Sequence, residues 1–204
     1  MVLRLESEND YFVTENLTRE AFWNVYRPGC DEHLVLHELR KKESYIPKLT
    51  YVAVEEDMIV GQIVYSKMFY GEKREMSNTV IGFGPISVHP DYQKKGIGSR
   101  LIRSTIQKAK ELGYKAIIIT GNHEYYHAFG FCSATQFGVF LPGMPKDEES
   151  EYFMAYEIER GYLEKHKGIY DFDSCFVVED EDLKEFEKKF PAKVKREARE
   201  SDIG

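Results

Sequence analysis

The residues with the clearest chemical potential lie in the segment QKKGIG, residues 93–98, which precedes an amphipathic helix pattern. The first amides of a helix have no helical partner, and the helix dipole places about half a positive charge there. Gly96 and Gly98 allow the backbone to approach an anion closely. Basic side chains add charge at Lys94, Lys95, Arg100 and Arg103. The spacing predicts a site for a phosphorylated cofactor, although a glycine turn with solvated lysines has the same pattern.

This segment differs from two phosphate-binding motifs. A P-loop has GKS or GKT after its glycines, and the dinucleotide fingerprint has a third glycine. Residues 93–98 have neither feature.

A second candidate motif is HEYYH, residues 123–127, which matches the H-E-x-x-H pattern of zinc hydrolases. In that motif two histidines on one helix face bind zinc, and the glutamate acts as a base. Gly121 and Gly130 limit any helix here to about two turns, and no third ligand is obvious. We therefore expect no metal site and interpret His123 and His127 as surface or substrate-side residues. Zinc hydrolysis through this segment remains an alternative function.

Hydrophobic periodicity predicts the elements that position these segments. Helical spacing is found at 18–26, 31–42, 97–112 and 180–190. Strand patterns are found at 2–7, 50–57, 58–70, 79–88, 115–120, 137–140 and 151–158. Strand 79–88, helix 97–112 and strand 116–120 form a β-α-β unit in a hairpin-rich chain, which predicts a mixed sheet. Because Pro85 cannot donate to a strand ladder, Gly84-Pro85 predicts a bulge or a free edge.

Length and composition are typical of one soluble globular domain. The chain has 204 residues, of which 42% are hydrophobic and 31% are charged. A net charge of −7 argues against nucleic-acid and anionic-membrane binding, which need a basic face, and suits a cationic small substrate. The three cysteines lack metal or disulfide spacing, and no apolar run approaches the roughly 18 residues of a membrane span. The charged N-terminal residues exclude a signal peptide, so we expect a cytoplasmic protein.

QKKGIG resembles the Q/R-x-x-G-x-G/A acetyl-CoA signature of the GNAT superfamily of N-acetyltransferases. A bulged strand precedes it, a parallel strand follows its helix, and YYHAFGF, residues 125–131, is similar to the family's tyrosine-plus-GF motif. The resemblance covers residues 50–160. It implies an α/β (α+β) fold with a mixed, mostly antiparallel sheet of about six or seven strands and a splayed central parallel pair, flanked by helices. Residues 1–178 would form the acetyltransferase domain, and residues 179–204 a short amphipathic helix and a charged tail, which we expect to be disordered beyond Pro191.

The same resemblance implies a role for each matched residue. The backbone of Ile86, Ser87 and Val88 would pair with the pantetheine arm, and the amide of Val88 would face the thioester carbonyl. The pyrophosphate would be held by the backbone amides of Lys94, Lys95, Gly96, Ile97, Gly98 and Ser99, with Gln93 beside them. Asn122 and Phe129 would lie along the pantetheine arm. Asn122 is closer to the tyrosine motif than the family's asparagine, which leaves its role open.

Tyr126 occupies the position of the family's general acid. In that role its hydroxyl would give a proton to the departing CoA thiolate, whose pKa is about 8.5 if it resembles a cysteine. A structural role is the alternative, with the ring in the core and the hydroxyl on a backbone carbonyl.

The implied reaction transfers an acetyl group from acetyl-CoA, the cosubstrate, to a primary amine by direct attack. An alkylammonium has a pKa of about 10.4, so a base or a water relay must remove its proton. The early helices carry four candidate bases, between which the sequence does not choose: Glu32, His33, His37 and Glu38. Loops 23–30 and 170–176 are expected to line the acceptor pocket. The identity of the amine and a possible homodimer stay open, and a CoA-binding module without turnover is the alternative to an enzyme.

Overall fold

The computed structural model describes residues 1–146, 149–199 and 202. Within these residues the helices are α1 (Tyr11–Phe22), α2 (Glu32–Leu39), α3 (Ile97–Glu111), α4 (His123–His127), α5 (Tyr162–Lys165) and α6 (Asp180–Glu187). The strands are β1 (Val2–Leu5), β2 (Tyr51–Glu55), β3 (Met58–Tyr70), β4 (Glu75–Val88), β5 (Ala116–Thr120), β6 (Cys132–Ser133), β7 (Val139–Phe140), β8 (Phe153–Glu157) and β9 (Gly168–Asp171). None of the described helices is both long and apolar enough to cross a membrane.

One sheet connects the strands in the order β1-β2-β3-β4-β5-β8-β6, and along this path only β4 and β5 are parallel. β9 pairs with the end of β3 and, in parallel, with β7. The predicted mixed, mostly antiparallel sheet with a central parallel pair and flanking helices is therefore confirmed. The described residues form nine strands rather than six or seven. The sequence pattern did not predict β6, which has 2 residues, or β9, which has 4.

Helix α3 forms where the sequence predicts it because its apolar residues repeat on one face. Ile97, Leu101 and Ile102 are buried in the main core, beneath the sheet formed by β2, β3 and β4. Each such side chain contributes about 1.5–3 kcal/mol to folding. On the same face, Thr105 shares a hydrogen bond of 2.9 Å with the buried hydroxyl of Tyr65. This packing holds the N-terminal end of α3 firmly beside the end of β4.

The parallel strands β4 and β5 pair only over part of their length. Residues 80–82 of β4 lie opposite residues 116–118 of β5, and the described ladder stops there. Gly82 permits the close approach, since a Cβ at this position would lie 2.8 Å from a carbonyl oxygen of β5. The register of β4 against β3 shifts between residues 83 and 86, where Gly84-Pro85 predicts a bulge. Strands β4 and β5 therefore diverge beyond this ladder, and the second half of β4 is not paired with β5.

Helix α1 lies earlier than predicted, at Tyr11–Phe22 instead of 18–26. Much of its buried face is polar, and the buried polar residues are Thr14, Glu15, Thr18 and Arg19. A polar buried face has no hydrophobic periodicity, so the sequence pattern could not locate the helix. The chain turns after Phe22, and Asn24 has a left-handed backbone with a φ of 62°. The segment predicted as the end of this helix is therefore a loop.

Helix α6 packs on the first two helices. Phe186 and Phe190 are buried beside Leu34 of α2. The buried Arg19 of α1 forms an ion pair of 2.7 Å with Glu187 of α6. The predicted amphipathic helix thus buries its aromatic face against α2, the helix that carries the four candidate bases.

The described part of the tail beyond Pro191 lies against the loop that follows α1. The indole of Trp23 donates a hydrogen bond of 3.0 Å to the carbonyl of Val194. The guanidinium of Arg196 donates one of 2.9 Å to the carbonyl of Asn24. The charged composition alone predicted disorder here. In the structure, residues 192–199 instead lie against this loop, held by hydrogen bonds to residues that are distant in sequence.

Candidate active site

The divergence of β4 and β5 opens a cavity of about 930 Å³. The loop before α3, the second half of β4 and the start of α4 line this cavity. The end of α1, the start of α2 and the segment after β9 line it as well. One cavity therefore joins the predicted cofactor site to the helices where an acceptor was expected.

The loop before α3 presents free backbone amides to this cavity. Gly96 is the N-cap of α3, with a left-handed φ of 79°, and Lys94 is also left-handed, with a φ of 60°. The first hydrogen bond within the helix runs from the amide of Arg100 to the carbonyl of Gly96. The amides of residues 97–99 therefore lack a partner within the helix, and these residues line the cavity. This arrangement suits a phosphate group.

The second half of β4 offers an unpaired strand edge. The amide of His89 donates to the carbonyl of Val60 in β3 at 2.9 Å. Along a strand, the backbone N–H and C=O groups of successive residues point to opposite sides. Since His89 bonds to β3, the backbone groups of Ser87 also face β3, and those of Ile86 and Val88 face the cavity. Gln93 also faces this edge, because its side-chain amide donates to the carbonyl of Val88 at 3.2 Å.

Three of the residues implied by the resemblance do not line the cavity. The hydroxyl of Ser87 is buried in a hydrogen bond of 2.8 Å with Thr18. The ammonium of Lys95 lies over the ring of Tyr92, 4.6 Å from its centroid. Phe129 is buried in the main core. These side chains support the elements around the site. The backbone of Ser87 faces β3 rather than the cavity, so its predicted pairing with pantetheine is not supported, and of the three residues only Lys95 belongs to the loop whose amides face the cavity.

Tyr126 lies between β4 and the residue that follows β5, at the point where the two strands diverge. Its ring packs on Phe83 and Phe131, with centroid distances of 5.8 and 5.9 Å. A Cβ at Gly121 would lie 2.6 Å from this ring, so the glycine makes room for it. The tyrosine lines the cavity, and its hydroxyl makes no hydrogen bond to a described residue. The structural alternative is met in part, because the ring lies in the main core, while the hydroxyl makes no hydrogen bond to a backbone carbonyl of a described residue. Burial raises the pKa of Tyr126, so the hydroxyl stays protonated near neutral pH.

Asn122 and Tyr125 complete the wall at α4. Asn122 lines the cavity and caps the helix, since its side-chain oxygen accepts a hydrogen bond of 3.1 Å from the amide of Tyr125. The hydroxyl of Tyr125 lies beside the α3 loop, 2.7 Å from the place that a Cβ of Gly98 would occupy. Tyr125 was not among the predicted site residues. The only signal for it is the tyrosine pair in YYHAFGF, which does not reveal which ring points where.

We use the name acceptor end for the cavity lining that comes from α1, α2 and the loops beside them and after β9, defined by Phe22, Tyr26, Glu32, Val35, Phe172 and Phe176. Tyr26, Phe172 and Phe176 come from the loops that the sequence places at the acceptor pocket. Glu32 is half-buried at the first residue of α2, and its Oε2 accepts a hydrogen bond of 3.1 Å from the amide of Asp31. Burial raises the pKa of Glu32 to about 7.

The other three candidate bases point elsewhere. His33 is fully buried between α2 and α6, and burial lowers its pKa to about 4. His37 lies 2.8 Å from the carboxylate of Glu15. Glu38 forms an ion pair of 2.7 Å with the exposed Lys41. Of the four, only Glu32 lines the cavity.

The HEYYH segment forms the single short helix α4. The rings of His123 and His127 stack, with centroids 5.4 Å apart. Among the residues that the structure describes, no group of three or more His, Cys, Asp and Glu side chains is placed to hold a metal ion. Tyr126, which lies inside this segment, faces the cavity instead.

A family model described as the acetyltransferase (GNAT) family matches residues 13–131, more than half of the chain. The chain belongs to this family. The resemblance predicted from QKKGIG and YYHAFGF is therefore confirmed. Membership of a family of acetyltransferases also supports the predicted enzyme class, an acyltransferase.

Individual GNAT proteins are similar to this chain over different lengths. The uncharacterized N-acetyltransferase YjhQ of Escherichia coli is 33% identical over 94 residues, which cover 46% of this chain and 51% of YjhQ. The chain thus spans about half the length of YjhQ. The uncharacterized N-acetyltransferase YhbS of Escherichia coli is 24% identical over 132 residues, covering 64% of this chain and 73% of YhbS.

Solved GNAT structures share the fold. The crystal structure of Escherichia coli YhbS in complex with CoA matches with a TM-score of 0.72 and 22% identity, over 86% of this chain and 91% of YhbS. A GNAT family acetyltransferase from Brucella melitensis in complex with acetyl-CoA matches with a TM-score of 0.69 and 24% identity, over 86% and 97% of the two chains.

Proposed function

We propose that this protein is an N-acetyltransferase that moves an acetyl group from acetyl-CoA to a primary amine by direct attack. The observation that supports this most is the single cavity that joins a helix end with free amides, an unpaired strand edge and a buried tyrosine. Two proteins of the same fold were crystallised with CoA and with acetyl-CoA, which agrees with a CoA ligand in this cavity.

Acetyl-CoA would lie along the loop before α3 and the edge of β4. The pyrophosphate accepts hydrogen bonds from the amides at residues 94–99, where the helix dipole favours negative charge. The pantetheine arm pairs with Ile86 and Val88 as an added strand would. The amide of Val88 donates to the thioester oxygen, on which negative charge grows during attack. Gln93 and Asn122 flank the bound cofactor.

Tyr126 assists the departure of CoA. The sulfur gains negative charge as the carbon–sulfur bond breaks, and a thiolate of this kind has a pKa of about 8.5. The raised pKa of the tyrosine keeps its proton available, and hydrogen bonding to the sulfur stabilises the developing charge before the proton moves.

A thiol-release assay tests this function. Purified protein is mixed with acetyl-CoA and a pool of primary amines, and the free thiol is measured over time. We expect release that requires the protein, acetyl-CoA and an amine together. Tight binding of acetyl-CoA with no amine-dependent release across the pool would contradict an enzyme and favour a CoA-binding module.

A further inference from the structure

We propose that the acceptor is a small monoamine with an apolar or aromatic carbon skeleton, and that Glu32 binds its ammonium group and removes the proton. This inference rests on the proposed function and adds the substrate class and the base. It follows from the charges, the walls and the position of the acceptor end.

The acceptor end offers one carboxylate that is free to bind a cation. Among the described residues that line the cavity, the charged ones are Asp31, Glu32 and Lys94. Lys94 belongs to the loop before α3, at the cofactor end. The carboxylate of Asp31 is already paired with the guanidinium of Arg27. A polyamine or an aminoglycoside carries several ammonium groups, and only one of them would find a partner here.

The walls around Glu32 are apolar and largely aromatic. Phe22, Val35, Phe172 and Phe176 come from three separate parts of the chain and face the same space. The rings of Phe172 and Phe176 pack together, with centroids 5.2 Å apart. Burying a carbon skeleton against such walls contributes about 25 cal/mol per Å² of apolar surface. Walls of this kind favour a hydrocarbon or an aromatic ring over a polyhydroxylated sugar.

The chain places Glu32 where it can hold a proton near neutral pH. The charged and titratable groups around it are Asp31, Arg27 and Cys30, and Tyr26 and Tyr126 line the same cavity. Burial raises the pKa of Glu32 to about 7. The same apolar surroundings lower the pKa of a bound ammonium and oppose the rise that its ion pair with Glu32 causes. This reduces the cost of forming the free amine, which is roughly 4 kcal/mol in water at pH 7.4.

The proposed proton transfers balance the reaction. Glu32 takes one proton from the ammonium and releases it to solvent. The nitrogen lone pair then forms a bond to the thioester carbon, and the carbon–sulfur bond breaks. After attack, the nitrogen gives its second proton to the deprotonated carboxylate of Glu32, and Tyr126 gives its own proton to the CoA sulfur. Proton exchange with solvent then returns Glu32 and Tyr126 to their starting states, so one proton in all is released. The products are an N-acetylated amine and CoA thiol.

An acceptor panel tests the substrate class. Phenethylamine, spermidine, kanamycin and a glycine-initiated tripeptide are compared as acceptors at equal concentration by thiol release. We expect kcat/KM for phenethylamine to exceed that for each of the others by roughly 10- to 100-fold. A higher kcat/KM with spermidine, kanamycin or the peptide would overturn the substrate class and leave the proposed function intact. No release with any amine would overturn the proposed function itself, and the substrate class with it.

Two matched variants test the role of Glu32. Glu32→Gln keeps the size of the side chain, and we expect it to lower kcat/KM for phenethylamine by about 10²- to 10⁴-fold. Its affinity for acetyl-CoA, measured by calorimetry, should stay unchanged. Glu38→Gln makes the same change on the same helix outside the cavity, and its kcat/KM should equal that of the wild type. An unchanged kcat/KM in a folded Glu32→Gln protein, or an equal loss in Glu38→Gln, would overturn the role of Glu32.

Discussion

In the proposed reaction, the hydroxyl of Tyr126 donates the proton that allows CoA to leave. Tyr126→Phe removes only this hydroxyl and keeps the ring packed on Phe83. We expect kcat to fall by roughly 10²- to 10⁴-fold, because a proton donor to the leaving group is lost. The affinity for acetyl-CoA should change little, since the tyrosine acts on the sulfur late in the reaction. Steady-state kinetics and calorimetry measure the two effects.

A second tyrosine provides the control for this variant. Tyr114 packs against the same core but does not line the cavity, so Tyr114→Phe should keep the wild-type kcat. If the folded Tyr126→Phe variant kept the wild-type kcat, the role of Tyr126 as a proton donor would be contradicted, and only its packing role would remain.

The ionisation of Glu32 predicts how activity varies with pH. Because its pKa is raised to about 7, the carboxyl is protonated below that pH and cannot accept a proton. We expect kcat/KM for a monoamine to rise between about pH 6 and pH 8, well below the pKa of about 10.4 of the amine itself. The rise should disappear in Glu32→Gln and persist in Glu38→Gln. A wild-type profile without a rise in this interval would contradict the assignment of the base.

The loop before α3 binds phosphate through its backbone, so the shape of the turn should matter more than its lysines. In Gly96→Val a branched side chain meets a left-handed φ of 79° and covers the free amides. We expect a large loss of acetyl-CoA affinity in calorimetry, and a small one for Lys94→Ala, because one exposed lysine contributes a screened charge.

Gly143 offers a matched control for backbone strain. Its φ is 76°, and a Cβ there meets no atom of the described residues within 4 Å, as at Gly96. Gly143→Val should therefore lose comparable stability while keeping acetyl-CoA affinity. Equal losses of affinity in Gly96→Val and Lys94→Ala would show that the lysines, rather than the turn, hold the cofactor.

The packing of α6 on α2 should be sensitive to acid. Burial lowers the pKa of His33 to about 4, from an ordinary value of about 6.5. The unfolded chain therefore binds more protons than the folded one between these pH values, so stability is full above about pH 6.5 and is lost as pH falls toward about 4. The loss from this group amounts to about 3 kcal/mol at most. Urea unfolding at pH 7 and pH 5 should show a smaller difference for His33→Gln than for the wild type, and an equal difference would contradict this.

The elements differ in how far the sequence could predict them. Helix α3 and the bulge at Gly84-Pro85 follow from local rules, namely apolar periodicity and the missing amide of proline. Helix α1 does not, because Arg19 and its polar neighbours are buried through partners that are distant in sequence. The two strands that the sequence did not predict, β6 and β9, likewise depend on partners that are distant in sequence, namely β8 for β6 and β3 and β7 for β9.

The candidate site divides in the same way. The cofactor end could be predicted because its binding groups are backbone amides at a glycine turn. The acceptor end could not, because four acidic or histidine side chains on one helix are equivalent until packing turns Glu32 into the cavity and His33 into the interior. The substrate class depends on that packing as well.

The whole fold should gain stability from its cofactor. A ligand that binds only the folded state at 100 times its Kd adds about 2.7 kcal/mol to the free energy of unfolding. For a chain of this length we expect the melting temperature to rise by about 5–10 °C. Thermal unfolding with millimolar acetyl-CoA measures the rise, and Gly96→Val should reduce it. No shift for the wild type would contradict binding of acetyl-CoA in the cavity.

Transfer of the acetyl group itself tests the central claim most directly. The protein is incubated with acetyl-CoA that carries a deuterated acetyl group and with phenethylamine or the amine pool. Mass spectrometry then measures the labelled amide, and a thiol reagent measures the CoA. We predict equal amounts of labelled N-acetyl product and free thiol, both strongly reduced in Tyr126→Phe. Thiol released without labelled amide, or no labelled amide from any amine, would contradict acetyl transfer by this protein.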